Sequence, residues 1–161
     1  MPALAAKTVL RWAMEIEANG EAFYKAVAGQ TTNRDVKFLF EDLAYQEERH
    51  YTTFERLMDK APTSETPAAT SAAYEEYLQV ALQNALFAGP DKGLALAKEA
   101  KDEESALRAA IAFEKDTLLF FYDLRDMVPD EQKDAIVAII EEERKHVRQL
   151  VGVLKDRPWV S

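Results

Sequence analysis

No cysteine occurs in the 161 residues. That excludes a disulfide scaffold, thiolate-held zinc, an iron–sulfur cluster and a cysteine nucleophile. Histidine is nearly as scarce, with two in the chain, so any imidazole chemistry rests on His50 and His146. Positive charge is short as well: 20 Lys and Arg stand against 29 Asp and Glu, for a formal charge of −9. No basic stripe is left for a nucleic acid. Five Gly and six Pro, beside 48% hydrophobic residues, exclude collagen-like and disordered classes. Long apolar runs are missing too. Met1–Ile16 is interrupted by Lys7, Arg11 and Glu15, which fits neither a secretory signal nor a membrane span, so a cytoplasmic protein with no membrane partner is expected.

What the chain does have is helical periodicity, and almost nothing reads as a strand. A first helix is predicted from about Leu4 to Gly29, with Val9, Ala13, Ile16, Gly20, Phe23 and Val27 on one face. After a turn at Gln30–Asn33, with Asn33 as N-cap, a second runs over Arg34–Lys60, with Val36, Leu39, Phe40, Leu43, Phe54 and Leu57 inward. Ala61–Ala73, rich in Pro, Thr, Ser and Ala, reads as a linker. A shorter helix is predicted over Tyr74–Ala88, stopped by Gly89-Pro90, with a further helical turn or two in Leu94–Lys101.

The third long helix starts at an Asp102 N-cap and turns Leu107, Ala110, Ile111, Leu118 and Phe121 inward. Pro129-Asp130 punctuates, and the fourth runs to about Lys155 through Ile136, Ile139, Val147, Leu150 and Leu154. Residues 156–161 form a tail whose Trp159 is placed to dock on the body. Two short turns and one long connection describe an all-α, ferritin-like four-helix bundle in one domain spanning residues 1–161. Its long crossover lies between helices two and three and contains a short extra helix.

Each inward stripe is broken at its middle by polar residues. On the second helix Glu47 and His50 interrupt Leu43 and Phe54, and on the fourth Glu143 and His146 interrupt Ile139 and Leu150. Glu17 sits beside Ile16 on the first helix, and Glu114 lies between Ile111 and Leu118 on the third. Counted from the connecting turns at ~1.5 Å per residue, all six fall within ~4 Å of one height. An unpaired buried carboxylate costs several kcal/mol or takes up a proton, so four together call for compensating charge. Two divalent cations supply it. Residues i and i+3 project from one face, so each Glu-x-x-His pair grips a metal from one side. Mixed carboxylate and imidazole donors suit iron or manganese, and two single Glu plus two Glu-x-x-His pairs is the donor set of carboxylate di-metal bundles. The competing reading, two surface histidines beside acidic runs such as Glu141–Glu143, does not account for matching depth on four stripes.

The chain also echoes itself. Ala13-Met14-Glu15-Ile16-Glu17 is similar to Ala110-Ile111-Ala112-Phe113-Glu114, and Glu47-Glu48-Arg49-His50 to Glu143-Arg144-Lys145-His146, as in a duplicated hairpin.

These segments, with Glu17-Ala18-Asn19-Gly20-Glu21-Ala22-Phe23-Tyr24 and Glu142-Glu143-Arg144-Lys145-His146, resemble the rubrerythrin-type members of the ferritin-like superfamily without their rubredoxin domain. The likeness covers roughly residues 5–156. It implies Glu17 and Glu114 as terminal ligands, Glu47 and Glu143 as metal-bridging ligands, and His50 and His146 as one imidazole on each metal. It implies two iron ions, with a di-manganese or mixed-metal pair as the alternative. The family carries a further Glu where this chain has Thr117, a carboxylate that takes part in redox-linked ligand exchange there. Tyr24 falls two turns after Glu17 on the same face, and Tyr122 matches a site-proximal tyrosine of the family; a core tyrosine with a satisfied hydroxyl is the expectation for each, with a bond to a ligand carboxylate or the quenching of an oxidising equivalent as the alternative. Trp12, Met14, Met58 and Met127 read as packing residues. Glu15, Glu48, Glu103, Glu104, Glu141 and Glu142 read as solvated helix faces.

The expected function is a non-haem di-iron oxidoreductase that reduces hydrogen peroxide or dioxygen. The six donors carry the catalytic centre, and electrons come from a separate donor such as a rubredoxin-like protein. A homo-oligomer, specifically a dimer, is expected. The alternatives are a ferroxidase or iron-storage protein and, last, a helical interaction module with a vestigial site.

Overall fold

A computed structural model describes residues 6–61, 76 and 91–156. The described residues form α1 (Ala6–Gln30), α2 (Arg34–Lys60), α3 (Lys92–Glu99), α4 (Glu103–Met127) and α5 (Asp130–Asp156), with no strand among them. The four long helices match their predicted spans to within two residues. The helix predicted over Tyr74–Ala88 lies outside the described residues apart from Glu76, as do Trp159 and most of the Ala61–Ala73 linker. Among the described residues, no helix is long and apolar enough to cross a membrane.

The caps explain the boundaries. The Asn33 side chain accepts from Asp35 N at 3.0 Å and Val36 N at 3.1 Å, satisfying donors that the first turn of α2 leaves free. Asp102 accepts from Ser105 N at 2.7 Å while Ser105 Oγ accepts from Asp102 N at 3.1 Å, a reciprocal cap that starts α4. Between Met127 and Asp130 the turn leaves room only for Val128 and Pro129, which forces α4 and α5 into an antiparallel pair like α1 and α2.

Side chains then tie one hairpin to the other at both ends. Glu103 accepts from Asn33 N at 3.0 Å, so it is a tether rather than the solvated residue expected. At the opposite end the buried Gln132 donates to Leu57 O at 2.9 Å. The short α3 packs on α1, where Gly93 N donates to Asn19 Oδ1 at 3.0 Å. A Cβ on Gly93 would lie 2.0 Å from Asn19 O, so only glycine permits this approach.

Apolar packing is divided in two. One cluster gathers Val9, Leu10, Ile16, Phe54, Phe121 and Ile136; the other gathers Phe23, Phe40, Leu43, Leu107, Ala110 and Leu150. Met14 and Met127 are buried in the first, with Trp12 and Met58 packed against it, as expected of packing residues. The predicted inward face of α4 is turned slightly. Ile111 and Leu118 are half-buried, whereas Phe113, Thr117 and Phe120 are buried. Leu39, Leu57, Val147 and Leu154 are likewise half-buried flanks of their stripes rather than their centres. At 3.6 residues per turn a helix buried on one side carries such intermediate positions on either edge.

Candidate metal centre

Between the two apolar clusters, α1, α2, α4 and α5 together bury Glu17, Glu47, His50, Glu114, Glu143 and His146, none more than 3% exposed. All six residues singled out in the sequence therefore meet. They form two overlapping groups, Glu17, Glu47, His50 and Glu143 on one side and Glu47, Glu114, Glu143 and His146 on the other. In each group one donor atom per residue lies within 4.8 Å of the others. Glu47 and Glu143 belong to both.

Glu143 is the hub. Its Oε1 lies 2.9 Å from His50 Nδ1 and its Oε2 lies 2.9 Å from His146 Nδ1. Glu17 Oε1 is 3.5 Å from His50 Nδ1, and Glu114 Oε1 is 3.5 Å from His146 Nδ1. Both imidazoles thus turn Nδ1 toward the carboxylates, with their rings stacked at 5.7 Å. Gly20 makes room for this layer, since a Cβ there would lie 3.2 Å from Glu47 Cδ and 3.1 Å from Phe113 Cε1.

Protonation follows from this crowding. Burial, then the charge of Glu143, pushes the Glu17 and Glu47 carboxyls well above the ordinary carboxylate range. The same two causes raise Glu114 to about 7. Burial also works to raise Glu143, but the adjoining Glu114 carboxyl and the hydrogen bonds with His146 and His50 outweigh it and hold that carboxyl well below its usual value. Burial alone would lower the imidazoles. For His50 the hydrogen bond and charge of Glu143 prevail, and for His146 the nearby Glu114 carboxylate and the hydrogen bond with Glu143 prevail, so both rise to about 10. Without metal, then, protons hold the positive charge that the carboxylates require.

The donor set fits metal ions better than protons. Both oxygens of Glu17, both of Glu47 and Glu114 Oε2 are buried with no hydrogen-bond partner among the described residues. Five orphaned carboxylate oxygens in one interior layer are costly unless something positive stands among them. Four carboxylates and two imidazoles converging from opposite sides match two divalent cations in charge and in donor type.

Two residues depart from their first expectation. Tyr24 is a buried core tyrosine that takes up the alternative weighed for it, a bond to a site carboxylate: it donates its phenol to Glu114 Oε1 at 2.6 Å, and burial followed by the Glu114 charge raises its own hydroxyl well above the usual range. Glu142, expected on a solvated face, reaches His50 Nε2 at 2.5 Å. Its signal was hidden inside the acidic run 141–143. Tyr122 stays half-buried under the Arg125 guanidinium, 5.4 Å from the ring centre. Thr117 is buried, and its hydroxyl donates to Phe113 O at 2.9 Å.

This arrangement defines a class, the four-helix bundle with a carboxylate- and histidine-lined centre suited to a metal pair. Sequence comparison narrows it: the Rubrerythrin family profile matches residues 8–154, and the chain belongs to that family. Among solved structures it is similar to a candidate ferritin-like diiron-carboxylate protein from Thermotoga maritima. That likeness has a TM-score of 0.75 at 23% identity, covering 96% of this chain and 97% of the other. It shows a shared ferritin-like fold. No curated protein is similar enough in sequence to count as a match.

Proposed function

We propose that the chain is a di-iron oxidoreductase of rubrerythrin type that reduces hydrogen peroxide, with Glu17, Glu47, His50, Glu114, Glu143 and His146 as ligands. The observation that carries this reading is the pair of overlapping donor groups sharing Glu47 and Glu143. Shared membership supports bridging roles for those two, with Glu17 and Glu114 terminal and one imidazole on each side. When bound, the iron pair supplies two electrons, one from each ion, to the O–O bond. Peroxide plus two electrons and two protons gives two waters. A separate donor, such as a rubredoxin-like protein, returns the electrons, because a cysteine-free chain has no iron–sulfur entry site.

The chain's own residues set the conditions. The apolar clusters on either side exclude bulk water from the layer. Each Nδ1 faces the carboxylates, which orients it for ligation. Tyr24 holds Glu114 Oε1, the oxygen 3.5 Å from His146 Nδ1, and Oε2 is left without a partner. Metal binding requires the protons on His50, His146, Glu17 and Glu47 to leave.

A second reading, a ferroxidase of the iron-storage kind, is favoured by one feature. The position implied to hold a further carboxylate is Thr117, whose hydroxyl is engaged by its own helix. That side of the centre therefore has one carboxylate fewer than the rubrerythrin resemblance implies, which favours dioxygen access. Stopped-flow mixing of the anaerobically reduced, Fe(II)-loaded protein with each oxidant separates the two. Faster oxidation by peroxide supports the first reading. Faster oxidation by dioxygen, with many added Fe(II) turned over per chain, supports the second. In that case Thr117→Glu slows the dioxygen reaction more than the peroxide reaction.

A further inference from the structure

The two halves of the centre are alike in their inner donors and different one atom further out. His50 turns Nδ1 to the carboxylates and Nε2 to Glu142 Oε2, on the neighbouring α5, at 2.5 Å. His146 also turns Nδ1 inward, yet among the described residues its Nε2 has no hydrogen-bond partner. The sequence echo explains why. Glu142 stands one residue before Glu143, and the equivalent place before Glu47 is Gln46. Gln46 Oε1 accepts instead from Arg49 Nη1 at 3.2 Å, within its own helix.

We infer that the two metal positions bind with unequal affinity, the Glu17/His50 position more tightly, and that Glu142 is the positioning residue that makes them so. This rests on the metal-centre reading given above. A metal-ligating imidazole must lose the proton on its ligating nitrogen and keep the one on the other. A carboxylate that accepts Nε2–H fixes that tautomer, holds the ring in the ligating orientation and makes Nδ1 a better donor. Such partners are worth about 10–100-fold in metal affinity. The Glu142 side chain is 43% exposed, so water screens part of its effect and the expected difference is the lower end, about tenfold. The His146 position has no counterpart and binds second.

Calorimetric titration of the metal-free full-length chain with Co²⁺ at pH 7 reads the two steps separately. The native chain is expected to show two sites whose Kd values differ about tenfold. Glu142→Gln weakens the tighter step toward the weaker one and leaves the second unchanged. Gln46→Glu should tighten the second step. Glu141→Gln, which removes a neighbouring charge paired with Arg144, leaves both steps as they were and so separates the hydrogen bond from general charge. Nitrogen-15 spectra of the histidines add a readout that a purely structural role would not move: the His50 Nε2–H signal shifts on Glu142→Gln while that of His146 does not. Two equal sites in the native chain, or equal weakening of both steps by Glu142→Gln, would overturn the inference and leave the metal centre standing. Failure of the folded native chain to take up Co²⁺ at all would overturn the metal-centre reading with it. If Glu142→Gln does not fold, Gln46→Glu still decides, since an unchanged second step there contradicts the proposal.

Discussion

Tyr24 and Glu114, 90 positions apart in the chain, are joined by a buried hydrogen bond of 2.6 Å between α1 and α4. The bond fixes one of the four buried carboxylates of the candidate centre, because the phenol holds Oε1 and leaves Oε2 without a partner. Tyr24→Phe removes the donor and strands a buried acceptor. The metal-free protein should lose about 1–3 kcal/mol of stability, measured by urea unfolding in the presence of chelator. An unchanged midpoint would mean that Glu114 finds another partner or that the bond is not formed.

The four buried carboxylates should not respond alike to neutralisation. Glu143 is the anion between two imidazolium groups, whereas Glu17 and Glu47 are driven toward protonation by burial and by that same anion. Glu143→Gln should therefore cost the metal-free protein about 3–5 kcal/mol, as loss of the partner of a buried charge does. Glu17→Gln and Glu47→Gln, which put a neutral group where the carboxyl must otherwise take up a proton, should raise its stability at pH 8 by about 1–3 kcal/mol. Urea unfolding of the three variants checks the opposite signs. Destabilisation by all three would show that the layer is not crowded with like charge.

Much of this site was legible in the chain because burial imposes periodicity. A Glu or His recurring at the inward position of an otherwise apolar stripe is conspicuous, and equal distance from a turn puts such residues at equal height. Asn33 and Asp102 were legible as caps for a similar reason, since each precedes a periodic segment and carries a short acceptor. The remaining contacts are decided across helices rather than along them. Glu142 sits in a run of three acids, and only the approach of α2 to α5 reveals that it meets His50. The partner of Tyr24 depended on the rotation of α4, whose buried face centres on Phe113, Thr117 and Phe120 rather than on Ile111 and Leu118. The narrow approach at Gly93 was hidden because the sequence does not say which face of α1 receives α3.

Stability of the metal-free protein should fall as pH rises. Glu17, Glu47, Glu114, His50 and His146 all have raised folded values, so the folded chain holds more protons than the unfolded one. The stability each contributes is complete below its unfolded value, 4.5 for the carboxyls and 6.5 for the imidazoles. It is lost as pH climbs through the folded values, about 7 for Glu114 and about 10 for the histidines. Within the layer Glu143 runs the other way, its contribution being lost as pH falls below 4.5. Between pH 6 and 9 each extra proton held costs about 1.4 kcal/mol per pH unit. Scanning calorimetry with chelator, in high salt to screen the surface charge, should show Tm dropping steadily. A flat or rising Tm would contradict the protonation pattern.

Six buried side chains positioned to hold two metal ions make metal content the decisive property of this protein. The protein is loaded anaerobically with Fe(II), desalted and analysed for iron per chain. The native chain should retain two ions. Glu17→Gln or Glu114→Gln should retain about one, since each leaves one donor group intact, and Glu47→Gln, which removes a donor from both groups, should retain fewer than either. Iron near zero in a native chain with intact helical content would contradict that role outright.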